Sequence, residues 1–481
     1  MLSLASLVFA VQKAATLRQA WLAGFSFGCG WFGVGISWVH ISIDQFGGLP
    51  LAASLGLMAL LVAYLALFPA FASALSVKLR TSCAMPLVFA ASWTLFEWLR
   101  SALLTGFPWL SLGYSQTSAG LRDLAPLIGE TGISFILAFS AAALAHVFTA
   151  QRALSRYGYL LLAGAIFSVS PQLQQFKGWQ YSDEQLSVVL VQGNIKQEMR
   201  WAPEQEWPTM LKYMDLTRPH FQADLVIWPE AAIPQLEPLA ESYLDNLNRA
   251  ALYADTAVIS GILDYNFKTQ QAWNNLIVLG KRYPDATDGD YFYGHSNRYS
   301  KHHLLPIGEF VPFERWLRHV APIFNLPMSS FSRGSYVQPN LVANGYHLLP
   351  AICFEIAFPA QIAANMTAST QLLLTVSNDA WFGDSIGPHQ HLQIAQMRAL
   401  EFGRPLIRAT NSGITATIDA SGRIQARAPQ FSETVLTDTL RLTSGVTPYA
   451  QFGDLPLYSV CLVLLISLAC RRYWLSRRQM I

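Results

Sequence analysis

Apolar positions along this chain follow two patterns, which exchange near residue 173 and again near residue 454. Before 173, long and nearly uninterrupted apolar runs cover 20–40, 49–76, 84–104, 124–149 and 158–172, and one more covers 454–470. Most approach the ~20 residues a helix needs to cross a bilayer, whereas 158–172 is short and leans on its neighbours. Between 173 and 453 the runs shrink to strand length and alternate with amphipathic stretches. Runs at 186–191, 224–228, 257–261, 348–353 and 372–377 mostly end in polar or reactive residues. Residues 389–403 have the spacing of an amphipathic helix, and 414–418 that of a strand before a Ser421-Gly422 turn. Strands interleaved with helices predict an α/β domain whose functional groups collect at strand ends. The expected organisation is a transmembrane helix bundle over 1–172, a globular domain over 173–453, and a transmembrane helix with a basic tail over 454–481.

Charge sharpens this picture. Only 13% of the 481 residues are charged and 52% are hydrophobic, about half the charge of an ordinary soluble domain. Lys13 and Arg18 precede the first full span, Lys78 and Arg80 follow the second, and Arg152 and Arg156 precede the fifth. Arg471, Arg472, Arg477 and Arg478 follow the last, while loops 41–48 and 105–123 hold only Arg122. The positive-inside rule then assigns the basic loops and the C-terminal tail to the cytoplasm and 173–453 to the opposite side. A net charge of +2 gives no reason to expect a nucleic-acid partner. Residues 2–12 are too few to span unaided and lack the marks of a signal peptide. Either they insert with help from neighbours or the natural start lies upstream.

Cys353 is the one thiol in the polar part of the chain; Cys29, Cys83, Cys461 and Cys470 lie in or beside apolar segments. It closes the run LLPAICFEI, as Glu230 closes VIWPEAAIP, and Lys301 sits in YSKHHLLPIGEFVP. Singly these are ordinary: a core cysteine, a turn carboxylate, a solvated lysine. Together they supply acyl transfer, which needs a nucleophile, a base for its proton and a cation or donors for the oxyanion. Cys353 would attack, Glu230 would take the proton and Lys301 would hold the charge. An adjacent ammonium is expected to lower the thiol's pKa from about 8.5. The backbone N–H of Phe354 is a second expected oxyanion donor.

That order and those contexts resemble the carbon–nitrogen hydrolase (nitrilase) superfamily, whose Glu-Lys-Cys triad sits on an α-β-β-α sandwich. With the bundle, the chain resembles the membrane-bound apolipoprotein N-acyltransferase family. The resemblance runs through WVHISIDQFGG (38–48), WLRSALLTGFPWLSLGYSQ (98–116), LAPLIGETGISF (124–135) and VQGNI (191–195). It continues in IWPEAAIP (227–234), YSKHHLLPIGEFVP (299–312), ICFEIAFP (352–359), SNDAWFGDSIGPHQH (377–391) and RATNSGITA (408–416). It implies Glu230 as general base, Lys301 as oxyanion lysine and Cys353 as nucleophile. It further implies Glu309 and Glu355 as supporting carboxylates and Trp201 in substrate engagement. Phe354 stands where many members carry Tyr, and the family's first span of eight has no counterpart here.

The implied reaction is N-acylation of the diacylglyceryl-cysteine of apolipoproteins by ping-pong transfer through a Cys353 thioester. The donor would be a phospholipid, typically phosphatidylethanolamine, and the place a bacterial inner membrane with the catalytic domain periplasmic. Apolar residues Phe324 and Met328, within 320–331, and Trp381-Phe382 are expected to line substrate or form a lid that keeps water from the thioester. No cofactor is implied. His302, His303, His389 and His391 complete no metal-ligand set, because the last two, spaced i,i+2, cannot share a helix face; the His303 ring is expected to pack beside the Lys301 turn. The same triad would also serve a membrane-tethered amidase that passes the acyl group to water. A transporter or receptor carrying a degenerate hydrolase domain is the remaining alternative. The intact triad disfavours it, and Glu97 with Arg100 would then be a bracing pair rather than part of a transport path.

Overall fold

A computed structural model of the chain describes residues 1–81, 84–150, 152–287, 289, 291–306, 308–310 and 331–478. The chain divides into two compact units, Met1–Gly178 with Thr447–Ile481, and Trp179–Val446.

The first unit is helical. Among the described residues, Leu51–Lys78, Met85–Thr105, Arg122–Val147 and Leu455–Arg478 are long and apolar enough to cross a bilayer. Leu17–Gly35 with Val39–Phe46 makes a fifth span if this pair, bent by 59°, counts as one. Ala153–Val169 is shorter, at 17 residues. Leu2–Lys13 buries Leu4, Leu7, Val8 and Val11, one stripe at helical spacing. A capping box ends the link to the next helix: Thr16 Oγ1 accepts from Gln19 N at 3.2 Å, and Gln19 Oε1 accepts from Thr16 N at 3.3 Å. Close packing of the helices at 17–35 and 51–78 depends on small residues. A β-carbon at Gly28 would stand 2.7 Å from Ala66 Cα, and one at Gly24 2.7 Å from Ala70 Cα. Arg100 is buried, 3.7 Å from Glu97, and donates to the carbonyls of Phe107 and Trp109, both at 2.6 Å. The pair therefore ties down the turn inside LTGFPWL of its own unit.

The second unit holds two sheets. In chain order the strands are β1 (Trp179–Gln192), β2 (Leu225–Ile227), β3 (Ile233–Leu236), β4 (Ala257–Asn266), β5 (Gln271–Gly280), β6 (Arg298–Ser300), β7 (Leu341–Ala343), β8 (Tyr346–Ile352), β9 (Leu372–Ser377), β10 (Leu406–Thr410), β11 (Ala416–Ile418), β12 (Ile424–Arg427) and β13 (Thr434–Gly445). One sheet runs β13-β1-β2-β4-β5-β6, with β3 added beside β4, and the other runs β12-β11-β10-β9-β8-β7. Alternate residues of the central strands serve two cores. Val188, Leu190, Leu225, Ile227 and Ile259 meet Leu348, Ile352, Leu374, Val376 and Ile407 between the sheets. Val189, Val191, Val226 and Val258 pack against Met210, Tyr213, Leu244 and Leu247 of helices Pro203–Thr217 and Glu241–Tyr253. Helix Gly387–Phe402 packs on β10 of the second sheet. Strands buried on both faces read as unbroken apolar runs, which is why the sequence displays them plainly. The result is the expected α-β-β-α sandwich.

Seven strands, β3, β5, β6, β7, β10, β12 and β13, stand outside the runs read from sequence. β13 shows one reason: in TVLTDTLRLTSG the alternate residues Thr437, Thr439 and Arg441 are exposed, so one face is polar. β13 pairs antiparallel with β1 along most of its length. Parallel pairing then aligns the ends that matter: Leu190 stands opposite Ile227, Ile227 opposite Ile259, and Ile352 opposite Val376. The chain leaves β2, β8 and β9 at their carboxyl ends, where this fold class gathers reactive groups.

Candidate active site

Glu230 lies in the turn after β2, followed by Ala231 at φ 42°. Gly261 of β4 lets this turn come close: a β-carbon there would lie 2.6 Å from Pro229 O and 2.7 Å from Glu230 Cα. Lys301 follows β6 and is 1% exposed. Its backbone N–H donates to Asn274 O at 2.8 Å, which fixes the strand exit. Cys353 follows β8 at φ 55°, a left-handed conformation that turns the chain from strand into a short 3-10 helix, Cys353–Ala357.

These exits bring the three groups together. Lys301 Nζ donates to Glu309 Oε1 at 2.8 Å and to Glu230 Oε1 at 3.4 Å. Asn274 Nδ2 bridges the same two carboxylates, at 2.8 Å to Glu230 and 3.3 Å to Glu309. The other Glu230 oxygen accepts the Asn378 backbone N–H at 3.0 Å. Burial works against the Lys301 charge, but Glu309 and Glu230 outweigh it and hold the ammonium well above its usual range. The thiol behaves otherwise. Burial pushes Cys353 up to about 12, the charge of Glu230 adds to this, and Lys301 opposes it without prevailing. The expectation of a thiol acidified by Lys301 is therefore corrected: desolvation of the anion outweighs one ammonium that two carboxylates already engage. The Cys353 thiol is thus held toward its protonated form, in one cluster with the Glu230 carboxylate and the Lys301 ammonium.

Glu355 is buried and collects five donors. Its oxygens accept from the backbone of Ile352 (2.8 Å), His302 (2.8 Å) and His303 (2.9 Å), from Tyr299 Oη (2.9 Å) and from Gln361 Nε2 (3.0 Å). It joins the strand bearing Cys353 to the loop bearing Lys301. Phe354 is buried, and the His303 ring stacks on Phe358 with centroids 3.5 Å apart. Trp201 is exposed, 5.7 Å from the Arg200 guanidinium, which donates to the carbonyls of Glu230 and Ala231. Trp381 is exposed, but Phe382 is buried with its ring 5.8 Å from that of His391. Phe382 thus packs into the domain instead of standing out as a lid, because its turn sits over a buried polar cluster. Phe324 and Met328 lie outside the described residues.

That cluster escaped the sequence reading. Asp379, His391 and Arg408 are all fully buried behind Cys353. Arg408 donates to Asp379 Oδ2 at 2.6 Å, the Ser377 hydroxyl to Asp379 Oδ1 at 2.6 Å, and His391 Nε2 contacts Cys353 O at 3.0 Å. Burial raises the Asp379 carboxyl, but Arg408 and His391 dominate and hold it far below the usual range. Its members fall inside SNDAWFGDSIGPHQH and RATNSGITA, but nothing in spacing joins them. Asn274 was signalled more openly, as a polar residue in the apolar run of β5. Among the described residues no group of three or more His, Cys, Asp or Glu could hold a metal ion.

A lysine held between two carboxylates beside a cysteine, on paired sheets flanked by helices, defines a carbon–nitrogen hydrolase domain. Residues 187–447 match the model of that family, carbon-nitrogen hydrolase, and residues 1–143 match the apolipoprotein N-acyltransferase N-terminal domain. Full-length relatives agree. An apolipoprotein N-acyltransferase of Shewanella oneidensis is 52% identical, over 93% of this chain and 86% of that protein. One of Photobacterium profundum is 48% identical over 95% and 87%, and one of Vibrio parahaemolyticus 45% identical over 99% and 93%. The chain belongs to the apolipoprotein N-acyltransferase family.

Proposed function

We propose that this chain N-acylates the diacylglyceryl-cysteine at the N-terminus of apolipoproteins, the last step of lipoprotein maturation, with a membrane phospholipid as acyl donor. The observation that carries the reading is the set of buried Lys301 and Glu230 with partly buried Cys353, in a chain whose relatives are matched along bundle and domain alike. The Cys353 sulfur attacks the ester carbonyl of the donor while Glu230 takes its proton, as a thiol raised to about 12 requires. Lys301 and the Phe354 N–H receive the oxyanion. As the intermediate collapses, the proton returns through Glu230 to the departing lysophospholipid, leaving a thioester on Cys353. The α-amine of the apolipoprotein then attacks this thioester. Its pKa of about 7.7–8.0 leaves a useful neutral fraction at neutral pH. Glu230 takes the amine's proton and passes it to the leaving thiolate, which restores the enzyme.

Phosphatidylethanolamine is the donor we favour. Donor, acceptor and enzyme share one membrane plane, which raises the encounter rate of two lipid-anchored substrates. The basic loops and tail favour a cytoplasmic C-terminus, a periplasmic domain and an inner-membrane location. Trp201 and Trp381 offer exposed aromatic surface to acyl chains. To test this, purified protein is given phosphatidylethanolamine of defined acyl composition and a diacylglyceryl-cysteine peptide. N-acyl peptide and lysophospholipid should appear in equal amounts, and Cys353→Ala should make neither. Free fatty acid in place of the amide would move the chain to the tethered-amidase reading.

A further inference from the structure

We infer that His391, held by Arg408 and Asp379, is a positioning residue that orients the Cys353–Phe354 peptide so that the Phe354 N–H points at the oxyanion. The inference rests on Cys353 being the nucleophile. A carbonyl can only accept, so the 3.0 Å contact between His391 Nε2 and Cys353 O fixes the proton on Nε2. The other ring nitrogen, Nδ1, lies 3.0 Å from an Arg408 guanidinium nitrogen and 3.1 Å from Asp379 Oδ1. Arg408 and Asp379 together hold the ring from its Nδ1 side, which leaves Nε2 directed at the Cys353 carbonyl. Burial and then Arg408 keep the imidazole neutral, against the pull of Asp379. Asp379 neutralises Arg408 at 2.6 Å and is itself tethered by Ser377.

The consequence follows from peptide geometry. Carbonyl and N–H of one trans peptide point in opposite directions, and the chain's described peptides include no cis bond. A donor gripping Cys353 O on one side aims the Phe354 N–H to the other. Cys353 sits at φ 55°, a left-handed conformation unfavourable for a non-glycine residue that must be held by its surroundings. His391 supplies that hold at the carbonyl itself.

The test compares two reactions of the same sulfur. Acylation by p-nitrophenyl butyrate passes through an oxyanion, whereas alkylation by iodoacetamide does not. An activated ester also acylates Cys353 whether or not phospholipid is the natural donor, so failure here is distinct from failure of the proposed function. In full-length protein, His391→Leu should slow acylation by about 10- to 100-fold in kcat with KM little changed, less than the 10²–10³ cost of losing an oxyanion donor outright. Alkylation should stay within about threefold of wild type if the oxyanion alone is affected. His391→Gln, which keeps an N–H near the Nε2 position, should recover most of the acylation rate. Equal loss of both reactions, no loss of acylation, or a Gln variant no better than Leu would overturn the inference.

Discussion

Replacing Gly261 with alanine should cost more turnover than stability, although the residue touches no substrate. Its β-carbon would stand 2.7 Å from Glu230 Cα and 2.6 Å from Pro229 O, where ordinary contact begins at 3.4 Å. With Ala231 N nearest at 2.3 Å, the Glu230 turn must retreat by about 0.7 Å to escape overlap and by about 1.1 Å to reach ordinary contact, since a packed core cannot absorb the methyl elsewhere. Three bonds hold the Glu230 carboxylate, at 2.8, 3.0 and 3.4 Å, and the longest is the one to Lys301. A shift of that size breaks the Lys301 bond first. Misplacement of a catalytic group by 1 Å costs roughly 10²-fold, so a loss of about 25- to 150-fold in Cys353 acylation is expected. Overpacking costs about 1–3 kcal/mol, which lowers Tm by about 2–4 °C per kcal/mol in a domain of this size. Acylation is followed by quenched intact-mass measurement, with Gly30→Ala as the control because no atom lies within 4 Å of its β-carbon position. A Gly261→Ala protein acylating within about twofold of wild type would refute the steric placement of the base.

Other outcomes follow from the same geometry. Glu355→Gln must turn an amide donor toward at least one backbone N–H, that of Ile352 or those of His302 and His303. Each lost acceptor costs about 1–3 kcal/mol, so calorimetry should show a domain less stable by about 2–3 kcal/mol and thioester formation should fall with it. Iodoacetamide labelling of Cys353 should climb with pH through 10 without a plateau, because burial places the thiol at about 12; a plateau below pH 9 would contradict this. The same shift has a stability sign. The folded thiol keeps its proton above the unfolded value of about 8.5, so its contribution is present below that pH and declines toward 12, and Cys353→Ala should flatten the decline. Arg100→Met leaves the Phe107 and Trp109 carbonyls without their donor, so chymotrypsin should cut the 103–112 segment faster than in wild type.

Much of this was written openly in the sequence. The bundle helices show because hydrocarbon tolerates little charge, and the central strands show because both their faces are apolar. Glu230 and Cys353 were visible as reactive residues closing such runs, at the sheet edge where the chain must turn. What stayed hidden shares one cause. β13 presents one face to water, so its polar alternation is indistinguishable from a loop until β1 is placed beside it. His391 looked like half of an i,i+2 pair with His389, yet His389 is exposed and His391 is buried, with partners twelve and seventeen residues away. The thiol's pKa went astray for a related reason. Lys301 was visible, but the burial that outweighs it and the two carboxylates that occupy it are properties of packing.

The central claim is that Cys353 carries the acyl group between two lipid substrates. The measurement that bears on it most directly is an intact-mass pulse and chase. The full-length protein is first given phosphatidylethanolamine without acceptor, then the diacylglyceryl-cysteine peptide, with Cys353→Ala alongside. The account predicts one acyl-sized gain that maps to Cys353, is absent from the variant, and leaves the enzyme as the peptide gains the same mass. A peptide acylated equally well by the variant, or an acyl group mapped to another residue, would contradict it.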